Sequence, residues 1–153
     1  MTQTELHIVI VGGVAGGASA ATRARRMNEH AHITVFEKDS HASFANCGLP
    51  YYIGGEIESR DALLVAKPQL LRDRFKLDLR TRHEVLSIDR AAKRVTVLDR
   101  DSLRTFEEPY DKLILAPGAA PIMPPMEGSK ASNVFTLRNL EDTDRIKSAV
   151  DKL

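Results

Sequence analysis

The chain has 153 residues, 42% of them apolar and 28% charged, with a net charge of +1. Those figures describe a globular chain of one-domain length that can bury a core, and they exclude a general attraction to nucleic acid or to a membrane surface. The polar start Met1-Thr2-Gln3-Thr4-Glu5 has no basic n-region, the apolar run after it is too brief for a signal peptide or a membrane span, and the single cysteine excludes an internal disulfide framework, so a soluble cytoplasmic protein is expected.

Ile8 to Val11 is a β-branched apolar run and reads as a buried parallel strand. The glycine-rich stretch Gly12-Gly13-Val14-Ala15-Gly16-Gly17 follows. A helix is expected from about Ala15 to Asn28, with a small-residue face of Ala20, Ala24 and Met27 for close packing on a sheet. Ile33 to Phe36 is the next strand and ends at Glu37. Strand, glycine turn, helix and strand make a βαβ unit, right-handed by default. Pro68 is placed to open a helix that runs to about Phe75. Leu77 to Thr81, Glu84 to Ile88, Arg94 to Leu98 and Arg104 to Glu107 then read as a small antiparallel meander inserted into the core over about 77–108, with Ala91-Ala92-Lys93 as a turn. Leu113 to Ala116 returns to the parallel sheet and is closed by Pro117-Gly118. The proline-rich stretch Ala119 to Ser132 reads as a loop, and a last helix is expected from near Leu140 to the end. The fold class that results is α/β, a Rossmann-like βαβ core with a parallel sheet over 6–67 and 110–120, an antiparallel insert, and a C-terminal side that is incomplete.

The glycine loop carries chemistry by geometry. A sharp strand-to-helix turn needs a bare backbone at Gly12, and close helix packing needs one at Gly17. The free N–H groups of the first helical turn then face a pyrophosphate, favoured by the helix dipole. Val14 fills the second glycine slot of the G-x-G-x-x-G pattern. Glu37 lies 20 residues beyond Gly17, where a carboxylate accepts from both ribose hydroxyls and repels a 2′-phosphate, which suits FAD or NAD over NADP. The plain alternatives are a simple turn and a solvated strand end.

Cys47 stands before Pro50, which suits the first turn of a helix, so the thiol is expected just ahead of a helix N-terminus, where the dipole favours the nucleophilic thiolate. With no second cysteine, any disulfide must form with another molecule. The alternative is a buried structural cysteine. Ser19, Arg23 and Arg26 stand at i, i+4 and i+7 and share one helix face, either to grip a phosphorylated ligand or as an ordinary solvated face. The histidines, His7, His30, His32, His41 and His83, show no metal-ligand spacing, so no metal site is expected.

Taken together, these segments resemble the single-cysteine branch of the flavin disulfide reductases, the coenzyme A-disulfide reductases and their coenzyme A persulfide reductase relatives fused to a rhodanese domain. The matching residues are Val11-Gly12-Gly13-Val14-Ala15-Gly16-Gly17-Ala18, Phe36-Glu37-Lys38, Ser43-Phe44-Ala45-Asn46-Cys47-Gly48-Leu49-Pro50-Tyr51, Tyr110 to Ala119 and Leu137 to Asp144. The resemblance implies that Gly12, Ala15, Gly16, Gly17, Glu37 and Lys38 bind the FAD pyrophosphate and ribose, that Val14 is shared with the branch, that the Val85 backbone meets the adenine, and that Pro117 and Gly118 flank the cofactor together with Asn46. Cys47 would be the redox nucleophile. Ser19, Arg23, Arg26, Ser43 and Asn46 would grip coenzyme A, while Phe75 stands where some members have a substrate-contacting lysine. The implied reaction uses NAD(P)H to reduce FAD, and the flavin in turn reduces a Cys47–S–S–CoA mixed disulfide.

The resemblance also implies that residues 121–153 lead into an NAD(P)H domain, that a C-terminal domain makes the whole enzyme a homodimer, and that this chain is a fragment, inactive alone, with a sheet that lacks its last strand. The readings held beside it are an NADH oxidase or peroxidase in which Cys47 cycles through a sulfenic acid, and a non-catalytic nucleotide-binding module.

Overall fold

The structure, a computed structural model, describes residues 5–152. The Met1 to Thr4 start and the Leu153 end of the chain lie outside the described residues. The chain divides into two units, one made of residues up to 44 and 66–117, the other of 45–65 and those from 118 onward.

In the first unit the apolar run forms strand β1 (His7–Val11), the glycine stretch leads into helix α1 (Ala15–Met27), and β2 (His32–Glu37) returns parallel to β1 in register from His7↔His32 to Val11↔Phe36. β2 is buried from Ile33 to Glu37, the pattern of a strand covered on both faces. Alternation along the strands splits the core in two. Ile8, Ile10, Ile33 and Val35 face Ala21 of α1 and Leu71 of helix α3 (Pro68–Phe75). Val9 and Phe36 face the other way, onto Val95 and Val97.

That second layer is the meander of β4 (His83–Asp89), β5 (Arg94–Asp99) and β6 (Arg104–Pro109), all antiparallel in the order β4-β5-β6. The parallel sheet has the order β3-β2-β1-β7, with β3 (Asp78–Thr81) paired to β2 and β7 (Lys112–Leu115) to β1. The chain therefore runs to one side of β1 first and later to the other, which makes a topological switch point beside the C-terminal end of β1.

The second unit holds a 3-10 helix at Asn46–Gly48, the five-residue helix α2 (Leu49–Ile53), a second 3-10 helix at Arg60–Leu63, and α4 (Leu140–Val150), which packs against α2. Leu49, Leu63, Leu140 and Thr143 are fully buried in it. Residues 119–132 form no helix or strand.

Two expectations are corrected. Leu77 to Thr81 does not join the meander; β3 extends the parallel sheet, because Leu79 is buried among the sheet and helix side chains. Met27 does not face the core but is 70% exposed, and α1 packs through Gly17 and Ala21 with Ala20 and Ala24 beside them.

Candidate functional site

β1 stops at Val11 because Gly12 takes a φ of +93°, a left-handed conformation that glycine alone adopts without strain. The Gly12 N–H donates to the Phe36 carbonyl at 2.8 Å. A Cβ on Gly12 would collide with the Ala116 carbonyl, and one on Gly17 would collide with the Gly12 carbonyl. The first turn of α1 therefore sits directly on the loop, and both glycine positions are required by shape. Val14, in the second glycine slot, has a negative φ of −85°, so that slot does not need the left-handed backbone that Gly12 takes.

Glu37 ends β2 with 4% exposure. One carboxylate oxygen accepts from the Gly13 N–H at 2.7 Å and the other from the Asp39 N–H at 3.0 Å. A carboxylate has about four lone-pair sites, so acceptor capacity remains for two more donors. Ser43 supports the loop from below: its N–H donates to the Gly13 carbonyl at 3.0 Å, and its own φ is +54°.

The two long helices of the chain start differently. α4 is closed by a capping box, in which the Asn139 side chain accepts from the Asp142 N–H at 2.9 Å and the Asp142 carboxylate accepts from the Asn139 N–H. α1 has no side-chain cap and no acid in its first turn, so the orphan N–H groups at Val14, Ala15 and Gly16 are left for something else. A dinucleotide fits these features: bare loop, uncapped helix start and buried ribose-type acceptor.

A groove opens at this place. It is lined by Val11, Gly12, Phe36, Glu37, Lys38, His83, Glu84, Val85 and Pro117. Gly12, Glu37, Lys38, Val85 and Pro117 were expected at the cofactor site, and the structure brings them together. His83 and Glu84 were not. His83 donates from Nδ1 to the Thr81 carbonyl at 2.8 Å and lies near parallel to Phe36 at 6.2 Å. Its neighbour Val85 precedes a register shift between Val85 and Ser87, a bulge of the sort that redirects a strand beside a site. Sequence spacing carries no sign of either residue, because only the stacking of β4 over β2 brings them to the groove.

Arg100 braces the same wall, donating to the Lys38 carbonyl at 3.0 Å and standing 3.9 Å from Glu84. Farther along α1, Ser19, Arg23 and Arg26 are exposed on one face. Arg23 and Arg26 have no ion-pair partner among the described residues. Arg25 between them differs: it donates to the carbonyls of Phe75, Lys76 and Glu29 and ties the end of α1 to the end of α3.

In the second unit Cys47 is exposed and unpaired, which removes the buried-cysteine alternative. It lies in the 3-10 turn just ahead of α2, with Pro50 in the first turn of that helix, as expected. The side-chain oxygen of the adjacent Asn46 is buried without a hydrogen-bond partner, so it is free to accept from a bound group. Gly118, with a φ of +69°, packs beside Arg138. Among the described residues no cluster of His, Cys, Asp and Glu is placed to hold a metal ion, and no helix is long and apolar enough to cross a membrane.

The switch-point groove, the glycine turn and the acidic end of β2 define a Rossmann-type nucleotide-binding protein. The chain belongs to the pyridine nucleotide-disulphide oxidoreductase family, whose pattern matches residues 6–152. It is 49% identical over 139 residues to a coenzyme A disulfide reductase of Staphylococcus aureus strain JH9, covering 91% of this chain and 31% of that one. Among solved structures it matches reduced Bacillus anthracis CoADR-RHD with a TM-score of 0.94 and 48% identity, covering 98% of this chain and 27% of the other. It also matches an NAD-dependent persulfide reductase from A. fulgidus with a TM-score of 0.89 and 35% identity, covering 96% and 27%. The chain thus spans about a third of the length of the curated relative.

Proposed function

We propose that the chain forms the FAD-binding portion of a disulfide reductase that acts on coenzyme A disulfide or a coenzyme A persulfide, with NAD(P)H as electron donor and Cys47 as its single redox thiol. In this reading residues 121–153 lead toward an NAD(P)H-binding portion, and the complete enzyme works as a cytoplasmic homodimer. The observation that carries the reading is Cys47 itself. It is exposed and without an internal partner, in a chain nearly half identical to a coenzyme A disulfide reductase.

Gly12, Val14, Ala15, Gly16 and Gly17 present backbone to the pyrophosphate, Glu37 accepts from the adenosine ribose, and Lys38, Val85, Pro117 and Gly118 complete the cofactor's surroundings. When bound, FAD relays two electrons from NAD(P)H to sulfur. The Cys47 thiolate attacks one sulfur of the substrate disulfide, the S–S bond breaks, and one coenzyme A leaves as its thiolate. Reduction of the resulting Cys47–S–S–CoA by two electrons and a proton releases the second coenzyme A and restores the Cys47 thiolate. Ser19, Arg23, Arg26, Ser43 and Asn46 hold coenzyme A. The unpaired guanidiniums of Arg23 and Arg26 suit its phosphates, and the buried Asn46 oxygen accepts from an N–H or O–H of a bound group.

A peroxidase or oxidase would use the same thiol through a sulfenic acid. Arg23 and Arg26 favour the coenzyme A reading, because peroxide needs no phosphate grip. The test is thiol release from coenzyme A disulfide by the full-length protein with NADH and with NADPH. Cys47→Ser is expected to lose turnover by roughly a hundredfold or more while keeping its flavin absorbance. Wild-type turnover in Cys47→Ser, or faster NAD(P)H oxidation with hydrogen peroxide than with coenzyme A disulfide, overturns the reading.

A further inference from the structure

We propose that Arg60 and Asp144 are a positioning pair for Cys47, acting through the second 3-10 helix. The proposal rests on the reading of Cys47 as the redox thiol. Arg60 opens that helix and Leu63 closes it. Leu63 is fully buried and grips the cysteine turn on both sides. Its carbonyl accepts from the Ala45 N–H at 2.8 Å, two residues before the thiol. Its side chain lies where a Cβ on Gly48, one residue after the thiol, would stand 2.8 Å away. Wherever Leu63 sits, the backbone that carries Cys47 must follow.

Arg60 sets where Leu63 sits. Its guanidinium meets the Asp144 carboxylate as a fork, Nε to Oδ1 at 2.7 Å and Nη2 to Oδ2 at 2.8 Å, across 84 positions of sequence. A fork fixes orientation as well as distance, which a lysine cannot do. The pair does not serve α4 itself, because that helix begins with its own capping box at Asn139 and Asp142. Nor is it a major support of the fold: its side chains are 32% and 42% exposed, and pairs so exposed contribute little to global stability. Its geometry links α4 to the thiol-bearing turn through one bidentate contact and one buried leucine.

The experiment uses the full-length flavin-bound protein with Arg60→Ala, Arg60→Lys, Asp144→Ala and the exchanged pair Arg60→Asp with Asp144→Arg. In the alanine variants kcat with coenzyme A disulfide is expected to fall about ten- to a hundredfold, with flavin content and KM for NAD(P)H unchanged. Arg60→Lys is expected to fall between alanine and wild type, and the exchanged pair to recover most of the loss. The reaction of Cys47 with 5,5′-dithiobis(2-nitrobenzoate), taken as the difference from Cys47→Ser, is expected to change in parallel and to recover in the exchanged pair.

Wild-type kcat in the alanine variants overturns the proposal. So does a loss that tracks thermal unfolding or flavin release and is not recovered by exchange. If Cys47→Ser itself turns over like wild type, the catalytic reading falls, whereas the probe reaction still reports whether the pair positions the thiol.

Discussion

Glu37 serves the loop and, in the proposed function, a ligand as well with one carboxylate. Both oxygens already accept backbone N–H groups, from Gly13 and Asp39. Glu37→Gln keeps the shape but turns one oxygen into an NH2, so one of those buried donors meets a donor. An unsatisfied buried donor costs about 1–3 kcal/mol, and the variant should unfold at correspondingly lower urea concentration as well as retain flavin poorly. Two glycines separate these effects. A Cβ on Gly17 strikes the Gly12 backbone, whereas one on Gly16 meets only the Ala116 methyl at 3.5 Å. Gly17→Ala should therefore lose about 1–3 kcal/mol of stability, and Gly16→Ala almost none. Flavin loss in Gly16→Ala, measured by visible absorbance after gel filtration, then reports the ligand alone; full retention there would remove Gly16 from the cofactor site.

At the scale of elements, the start of β1 carries a pH dependence. His7 stands where β1, β2 and β6 meet, with its Nε2 3.1 Å from the Thr34 hydroxyl and 3.7 Å from Glu108. Burial pushes its pKa down, and the neighbouring His32 pushes the same way, as does Arg80, against the opposing pull of Glu108 and Asp111. A histidine harder to protonate when folded leaves the unfolded chain binding more protons as pH falls through the ordinary histidine range. Stability is thus complete above the unfolded value and declines on acidification until the pH passes the folded value. Tm should fall between about pH 7.5 and pH 5.5, and His7→Gln should flatten that fall; an unchanged slope in the variant would assign the effect elsewhere.

How far elements could be read from residues follows the same physics. β1, the glycine turn, α1 and β2 were legible because each signal is local: a β-branched run, obligatory glycines, an alanine-rich stretch, and an acid at a strand end. α3 was legible from Pro68. Strand β3 was not, because Leu77 to Thr81 alternates like the meander strands, and only pairing with β2 decides which sheet takes it. Met27 was misplaced because an apolar residue in the last turn of a helix looks like core, while the packing face runs through Gly17 and Ala21. His83, Glu84 and the Arg60–Asp144 fork are products of tertiary contact across long stretches of sequence, and no spacing rule reaches them.

Across the 153 residues of this chain the net charge is +1, so the chain itself supplies no strong long-range field for steering an anion. In the proposed function, this chain's attraction for a ligand as rich in phosphate as coenzyme A disulfide is then local, and Arg23 and Arg26, without an ion-pair partner among the described residues, stand on one exposed face of α1. Each exposed charge pair is worth roughly 0.5–1 kcal/mol, so Arg23→Ala with Arg26→Ala should raise the KM for coenzyme A disulfide about five- to thirtyfold. Because exposed pairs are screened by salt, the wild-type KM should climb with ionic strength and the double variant should show a flatter dependence. The KM for NAD(P)H should stay put in both, which separates a lost phosphate grip from general damage to the fold. A double variant with the wild-type KM and the wild-type salt slope would mean that this helix face is merely solvated and that coenzyme A, if bound, is held elsewhere.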